Sequence, residues 1–348
     1  MTRKAVHVAG KKHWAPKLSD TFPPVGKTDS NSKASGDSGS RLVWLDGSLR
    51  PWADVTVHVL SHSLQRGSLV FDYMSVNDTP RGAAIFRLSE HVDRFFRSCE
   101  MMGLPVEQSP EALREAIRET VRANPGAHAV KISAYFASVE IDVVPVDTHV
   151  SVAIAAYDPQ TDISDQLPRP SPRKPKTLKL WIEKVRANRR DDIVAPQVKV
   201  SANYASPMMA KARARTAGYD EIILVDEDGH LAEGPTTNLF LIDAKGNLLT
   251  PLSEKVLHGV TRSTIIELAR AESIPVRESP LKPDALLNAS EAFLTGTTAG
   301  VWPIESVDGR ALGDVCPGPI STILSDRFRL VSCGKDPEFE HWLTPAED

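Results

Sequence analysis

The sequence has little cysteine and no long apolar run. Its three cysteines, Cys99, Cys316 and Cys333, form no CxxC pair and no disulfide framework. That fits a reducing compartment. The apolar runs are short, as in Glu221-Ile222-Ile223-Leu224-Val225. Nothing approaches the ~20 apolar residues of a bilayer span. An excess of one charge is also missing. The net charge is -4 and no basic face or arm stands out, so no nucleic-acid partner is expected. The first residues are basic without an apolar h-region, which argues against a secretory signal. An organelle transit peptide stays open, because the first forty residues are basic and then Ser-rich. The expected location is the cytoplasm. No internal repeat is visible.

A chain of 348 residues suggests two modest domains, at roughly 150 residues each. The apolar fraction of 41% is enough for ordinary cores. Residues 1–40 read as a disordered or extended tail, Ser-, Gly- and Asp-rich towards its end. Residues 41–160 read as a small α/β domain. Residues 161–176 read as a linker within the break Asp158 to Lys176, which holds Pro159, Pro168, Pro170, Pro172 and Pro175. Residues 177–348 read as a larger domain.

Within the first block, Val55 to Leu60 and Ser68 to Val76 look extended. Ser89 is the expected N-cap of a helix with Leu88, Val92, Phe95, Phe96 and Cys99 at helical spacing. A second helix runs from Ser109 to Asn124-Pro125-Gly126, followed by strands Ala129 to Ser138 and Val150 to Tyr157. In the second block, strands are expected over Thr177 to Val185, Glu221 to Val225, Asn238 to Ile242 and Glu291 to Thr295. Helices are expected after Ser206-Pro207, with Met208, Met209 and Ala212 on one face, then from Thr261 to Glu272 and from Gly318 to Val331. Mixed strands and helices in two blocks indicate an α/β or α+β protein.

Several short segments stand out together. They are Lys199-Val200-Ser201-Ala202-Asn203-Tyr204, Glu233-Gly234-Pro235-Thr236-Thr237-Asn238-Leu239-Phe240, Leu248-Leu249-Thr250 and Leu257-His258-Gly259-Val260-Thr261-Arg262. Upstream lies Phe86-Arg87-Leu88-Ser89-Glu90-His91-Val92-Asp93-Arg94. A lone Lys before a Tyr is ordinarily a surface lysine, and a lone Glu a solvated turn acid. In this order and spacing, the segments resemble the class IV aminotransferases, the branched-chain and D-amino-acid transaminase-like enzymes of fold type IV. One position departs: Pro235 stands where a small residue is usual.

The resemblance implies a two-domain fold with pyridoxal 5'-phosphate (PLP) held between the domains. Such an enzyme needs a lysine, a partner for the pyridine nitrogen and a phosphate cradle. The resemblance assigns the lysine to Lys199 and the phenolic-oxygen contact to Tyr204. It gives the ring nitrogen to Glu233 and the cradle to Arg94, Leu257, Val260, Thr261 and Thr297. A carboxylate at Glu233 would keep the ring protonated and stabilise a carbanion at the substrate. Val260 and Thr261 fall at a helix start, a natural anion site. A guanidinium at Arg94 suits a phosphate bidentately. His91 is expected to be structural. His58 and His62 lack a third ligand and read as extended, so no metal is expected.

The resemblance weakens around the substrate. Phe71 and Tyr73 are expected there, with Tyr73 in place of a glycine. Val130 and Ile132 are expected where the family has Y-x-R, and Thr298 and Ala299 in the Gly/Thr loop. That gives a pocket with an apolar wall and broad side-chain tolerance. The implied partners are an amino donor and a 2-oxo acid acceptor, and the implied assembly is a homodimer. The alternatives are a lyase of the 4-amino-4-deoxychorismate type, a D-amino-acid or (R)-amine transaminase, and a non-catalytic PLP-binding protein.

Overall fold

The computed structural model describes residues 40–167 and 174–347. The expected tail, apart from Ser40, and the middle of the expected linker lie outside the described residues.

The first block opens with the hairpin β1 (Leu42–Leu45) and β2 (Ser48–Pro51), then helix α1 (His62–Arg66). Strands β3 (Val70–Thr79) and β4 (Gly82–Phe86) follow, then helices α2 (Leu88–Met101) and α3 (Pro110–Arg122), then β5 (Ala129–Tyr135) and β6 (Ser151–Tyr157). The second block holds β7 (Leu178–Arg189), α4 (Ala205–Thr216), β8 (Glu221–Asp226), β9 (Asn238–Ile242), β10 (Leu248–Thr250) and α5 (Val260–Ala271). It continues with β11 (Val276–Glu278), α6 (Pro283–Leu287), β12 (Glu291–Gly296), β13 (Gly300–Val307), β14 (Arg310–Ala311), α7 (Pro319–Ser332) and β15 (Leu343–Pro345).

The strands make two sheets, as expected of a mixed α/β protein. The first is antiparallel throughout, in the order β15-β4-β3-β5-β6-β1-β2. The second runs β11-β10-β9-β12-β13-β7-β8, with β14 beside β13, and mixes parallel and antiparallel pairs.

Alternation explains the first sheet. Along β3, Val70, Asp72, Met74 and Val76 are buried on one face while Phe71, Tyr73 and Ser75 point to the other. Helix α2 covers the buried face with Leu88, Val92, Phe95 and Cys99, and α3 with Leu113, Ala116, Ile117 and Val121. The opposite face is left for the site. Helices α5 and α7 pack on the second sheet through Ile265, Leu268, Leu324 and Val331, against Phe240 and Phe293.

The chain's last strand crosses back. β15 pairs with β4 of the first sheet, although its residues lie within the expected second domain. Phe339 and Trp342, just before it, join the core under α5 and α7. The Arg87 guanidinium stacks on Trp342 at 3.9 Å and donates to Glu267 of α5. The C-terminal segment therefore touches both sheets' cores.

Four local expectations need correction. Residues 55–60 form no strand, because Val57, Val59 and Leu60 are exposed and find no strand partner. The N-cap of α2 is Arg87, in the left-handed conformation at φ 51°, and Ser89 lies inside the helix. Helix α4 buries Pro207, Ala210 and Ala214, with Met208 exposed. His62 begins a helix rather than continuing an extended run.

Candidate active site

Lys199 is fixed through its backbone. The stretch Lys199–Ser201 runs beside the start of β3. Phe71 N donates to Lys199 O at 3.0 Å and Ser201 N to Leu69 O at 2.9 Å. Lys199 N donates to the Ser98 hydroxyl of α2 at 3.1 Å. A 3-10 turn over Ser201–Tyr204 then leads into α4 and brings the Tyr204 ring back beside the lysine. Lys199 Nζ stands 3.3 Å from Tyr204 Oη and 5.0 Å from the Phe71 ring centre.

Glu233 is placed by the turn between β8 and β9. Its Oε2 accepts from Asn238 Nδ2 at 3.0 Å and from Leu257 N at 3.2 Å. Asn238 Nδ2 also donates to Leu257 O at 2.9 Å. Only glycine fits at Gly259, since a Cβ there would lie 2.0 Å from Asn238 Oδ1. The signature residues Glu233, Asn238 and Gly259 thus hold one another, and the loop they hold opens α5.

The start of α5 supplies an anion site. Val260 and Thr261 occupy its first turn, where backbone N-H groups have no helical acceptor. Thr237 and Thr295 line the same cavity, and their hydroxyls are buried without a hydrogen-bond partner among the described residues. Thr297 Oγ1 donates to Tyr73 O at 3.4 Å, tying the Gly/Thr loop to β3.

Arg94 reaches the cavity differently from the expectation. Its fork is engaged by a residue missed in the sequence: Nε donates to Asp72 Oδ2 at 2.8 Å and Nη2 to Asp72 Oδ1 at 2.7 Å. Only Nη1 remains on the cavity side, where it donates to His258 O at 3.1 Å. A two-pronged grip on a phosphate is therefore not available from this guanidinium. His91 Nδ1 lies 2.7 Å from Asp72 Oδ1, so that nitrogen carries the proton. Burial would raise the Asp72 carboxyl's pKa, but Arg94 and His91 hold it well below the usual carboxylate range. Burial also pushes His91 below its ordinary value, keeping it neutral. This agrees with a structural rather than catalytic histidine. His91, Arg94 and Ser98 form a buried polar stripe on α2, a turn apart, facing Asp72, the α5 loop and Lys199.

All eight residues assigned to lysine, ring and phosphate line one cavity: Lys199, Tyr204, Glu233, Arg94, Leu257, Val260, Thr261 and Thr297. About 510 Å³ of empty space lies between these residues, part of it open solvent. The substrate residues are split. Phe71 packs against Tyr204 at a tilt of 46° with ring centres 5.3 Å apart, and Tyr73 lies on the same face of β3. Burial raises the Tyr73 phenol above its ordinary pKa, so it stays a neutral donor. Thr298 and Ala299 line an adjoining cavity with Lys174, Lys211 and Trp302.

Val130 and Ile132 do not reach the site. Both are fully buried in the core between sheet and helices. The period of two along β5 instead turns Lys131 and Ser133 to the site face, with Lys131 opposite Tyr73 and Ser133 opposite Phe71. Lys131 Nζ lies 4.8 Å from the Phe71 ring centre. Lys131 is exposed at the surface, but partial desolvation of its amine, then the charge of Lys199, holds it below the ordinary lysine pKa. The wall is thus less apolar than expected.

These residues fit PLP by their chemistry. An amine, a carboxylate against a ring nitrogen, unpaired threonine hydroxyls and a helix start are the donor set that such a cofactor needs. The two upstream histidines act separately: His62 Nε2 meets Val143 O at 2.9 Å, and His58 Nδ1 accepts from Leu60 N at 3.1 Å.

Comparison with known proteins bears on this site. The family model described as amino-transferase class IV matches residues 69–307. The branched-chain-amino-acid aminotransferase of Pseudomonas aeruginosa is 33% identical over 308 residues, 87% of this chain and 96% of that protein. The Escherichia coli K12 protein of the same name is 31% identical over 306 residues, 86% of this chain and 96% of its own length. The crystal structure of the branched-chain amino acid aminotransferase from Thermobaculum terrenum in its PLP form aligns at a TM-score of 0.78 with 28% identity, covering 89% of this chain and 99% of that one. The family match spans Lys199, Tyr204, Glu233 and the start of α5, and the chain belongs to the class IV aminotransferases.

Proposed function

We propose that the chain is a PLP-dependent aminotransferase that moves an amino group between an amino acid with a branched or otherwise apolar side chain and a 2-oxo acid. The observation that carries this is the single cavity with the Lys199 amine beside the Tyr204 hydroxyl and, in the same lining, Glu233, Arg94 and the start of α5. The bound cofactor would supply an electron sink for the substrate's α-carbon. Lys199 Nζ would take the α-proton and return it to the cofactor's aldehyde carbon. Glu233 would hold the proton on the ring nitrogen, braced by Asn238 and Leu257 N. Tyr204 Oη would orient the amine. The names of the relatives support a branched-chain donor. Lys131, over Phe71, supports an acidic group on one of the two substrates.

Two copies of the chain would assemble through an exposed apolar face of the first block. Val57, Val59, Leu60 and Leu64 stand beside Ile141, Val143, Val144 and Val146, all exposed. The two segments are joined by the Ser61–Val139 bridge and by His62 N donating to Ser138 O. Such a patch calls for a partner surface. A monomer by light scattering, active at nanomolar concentration, would refute the dimer. No described helix is long and apolar enough to cross a membrane. The proposed chemistry and the cysteine usage support a cytoplasmic location.

The test is an amine-donor panel read by the cofactor's visible absorbance. L-Leu should convert the spectrum to the pyridoxamine form and 2-oxo acid should restore it. Response to D-Ala or an (R)-arylamine alone would reverse the stereochemistry. Pyruvate released from 4-amino-4-deoxychorismate without an acceptor would make it a lyase, and no response to any amine would leave a binding protein.

A further inference from the structure

Three consecutive residues of β3 touch three separate arms of the site. Phe71 N holds the Lys199 carbonyl at 3.0 Å, Asp72 holds Arg94, and Tyr73 O takes the Thr297 hydroxyl at 3.4 Å. The middle one is out of place by simple patterning. Asp72 points to the helix-covered face, between Val70 and Met74, with no exposed surface. An isolated carboxylate there would carry a large desolvation penalty. Its bonds offset this: two from Arg94, one from His91 and one from Tyr73 N at 2.7 Å.

The arrangement has a directional consequence. A guanidinium gripped at Nε and Nη2 cannot rotate, because two parallel bonds fix its plane. Its one remaining edge, Nη1, is then aimed at the loop before α5, where it meets His258 O. Nη1 carries two protons and its bond to His258 O uses one, so the other is available to an acceptor in the cavity that Arg94 lines with Val260 and Thr261. The carboxylate also cancels most of the arginine's charge at short range. What reaches the cavity is therefore an aimed N-H rather than a free cation.

We propose that Asp72 is a positioning residue for the anionic end of the cofactor, acting through Arg94. This rests on the reading that the cavity holds PLP. The alternative is that Asp72 only neutralises a buried arginine. The two differ in sign. If Asp72 aims the N-H, Asp72→Asn loosens the fork and weakens phosphate binding. If it only neutralises, Asp72→Asn leaves an uncompensated cation and strengthens phosphate binding.

The experiment compares the affinities of the apo full chain for PLP and for pyridoxal, which lacks the phosphate, by absorbance titration. The ratio of the two isolates the phosphate end. We expect Asp72→Asn to lower that ratio about tenfold, the scale of one charge-assisted hydrogen bond, with pyridoxal affinity unchanged. A ratio that is unchanged or raised overturns the proposal. Arg94→Lys provides an independent arm should the first variant fold poorly by thermal melting. It keeps the charge but cannot take both Asp72 oxygens and His258 O together. We expect the same loss in ratio, and a retained ratio overturns the proposal. A parent chain that binds neither compound would sink the PLP reading itself. A parent that favours PLP, with variants that favour it equally, sinks only the role of Asp72.

Discussion

The face assignment on β5 can be tested by two substitutions one residue apart. Ile132 is fully buried in the first core, with Val130, Ile154 and Phe95 in the same cluster. Truncation to alanine removes three carbons from a packed site and costs about 2–5 kcal/mol. For a protein of this size, that lowers the melting temperature by roughly 3–7 °C. The proposed substrate cavity is on the other face, so kinetic constants measured well below the transition should stay within about twofold, as for a change that touches no substrate group. Lys131→Met should behave in the opposite way. The side chain reaches the surface on the site face, so stability should move by no more than about 0.5 kcal/mol. Its amine lies over Phe71, and KM for a dicarboxylic partner such as glutamate should rise about tenfold, with KM for leucine little changed. Calorimetry and steady-state kinetics on both variants decide it. An Ile132→Ala variant with normal stability and altered KM would mean that the strand faces the other way.

Two further predictions concern protons. Glu233→Gln keeps the shape and an acceptor for Leu257 N, but holds the ring proton poorly. Cofactor binding should persist while single-turnover conversion with L-Leu slows about a hundredfold or more, and conversion at the parent rate would remove Glu233 from the chemistry. His91 is held neutral by burial, below its ordinary value. The unfolded chain therefore binds more protons, and stability from the neutral form is complete above ~6.5 and lost as pH falls through it, by at most ~1.4 kcal/mol per pH unit. Melting temperature measured from pH 8 to pH 5 should fall less steeply in His91→Gln than in the parent, and parallel curves would refute the assignment.

Much of the site was legible because the signature residues contact each other. Glu233, Asn238, Leu257 and Gly259 form one hydrogen-bonded unit, so their spacing in the chain mirrors a local geometry. Lys199 and Tyr204 are close in sequence and in space for the same reason. Asp72 and Arg94 were harder, since they meet across a strand and a helix 22 residues apart. No local pattern marks that pairing, although an acid inside the apolar alternation Val70, Met74, Val76 was a signal. Ala-Val-Lys-Ile-Ser alternates apolar and polar, and that period alone turns Val130 and Ile132 inward. The return of β15 to the first sheet depends on long-range pairing, which short apolar patterns do not encode, whereas β4 pairs with β3 across the two-residue turn Pro80-Arg81 and is marked locally by that turn.

Lys199 would be the residue that holds PLP in this cavity. Borohydride reduction of the PLP-loaded full chain, followed by peptide mass spectrometry, reads the attachment point directly. A phosphopyridoxyl group is expected on the peptide containing Lys199, and none on the same peptide from Lys199→Ala. Labelling of another lysine at full occupancy, or of none in a chain that retains the cofactor's absorbance, would contradict it.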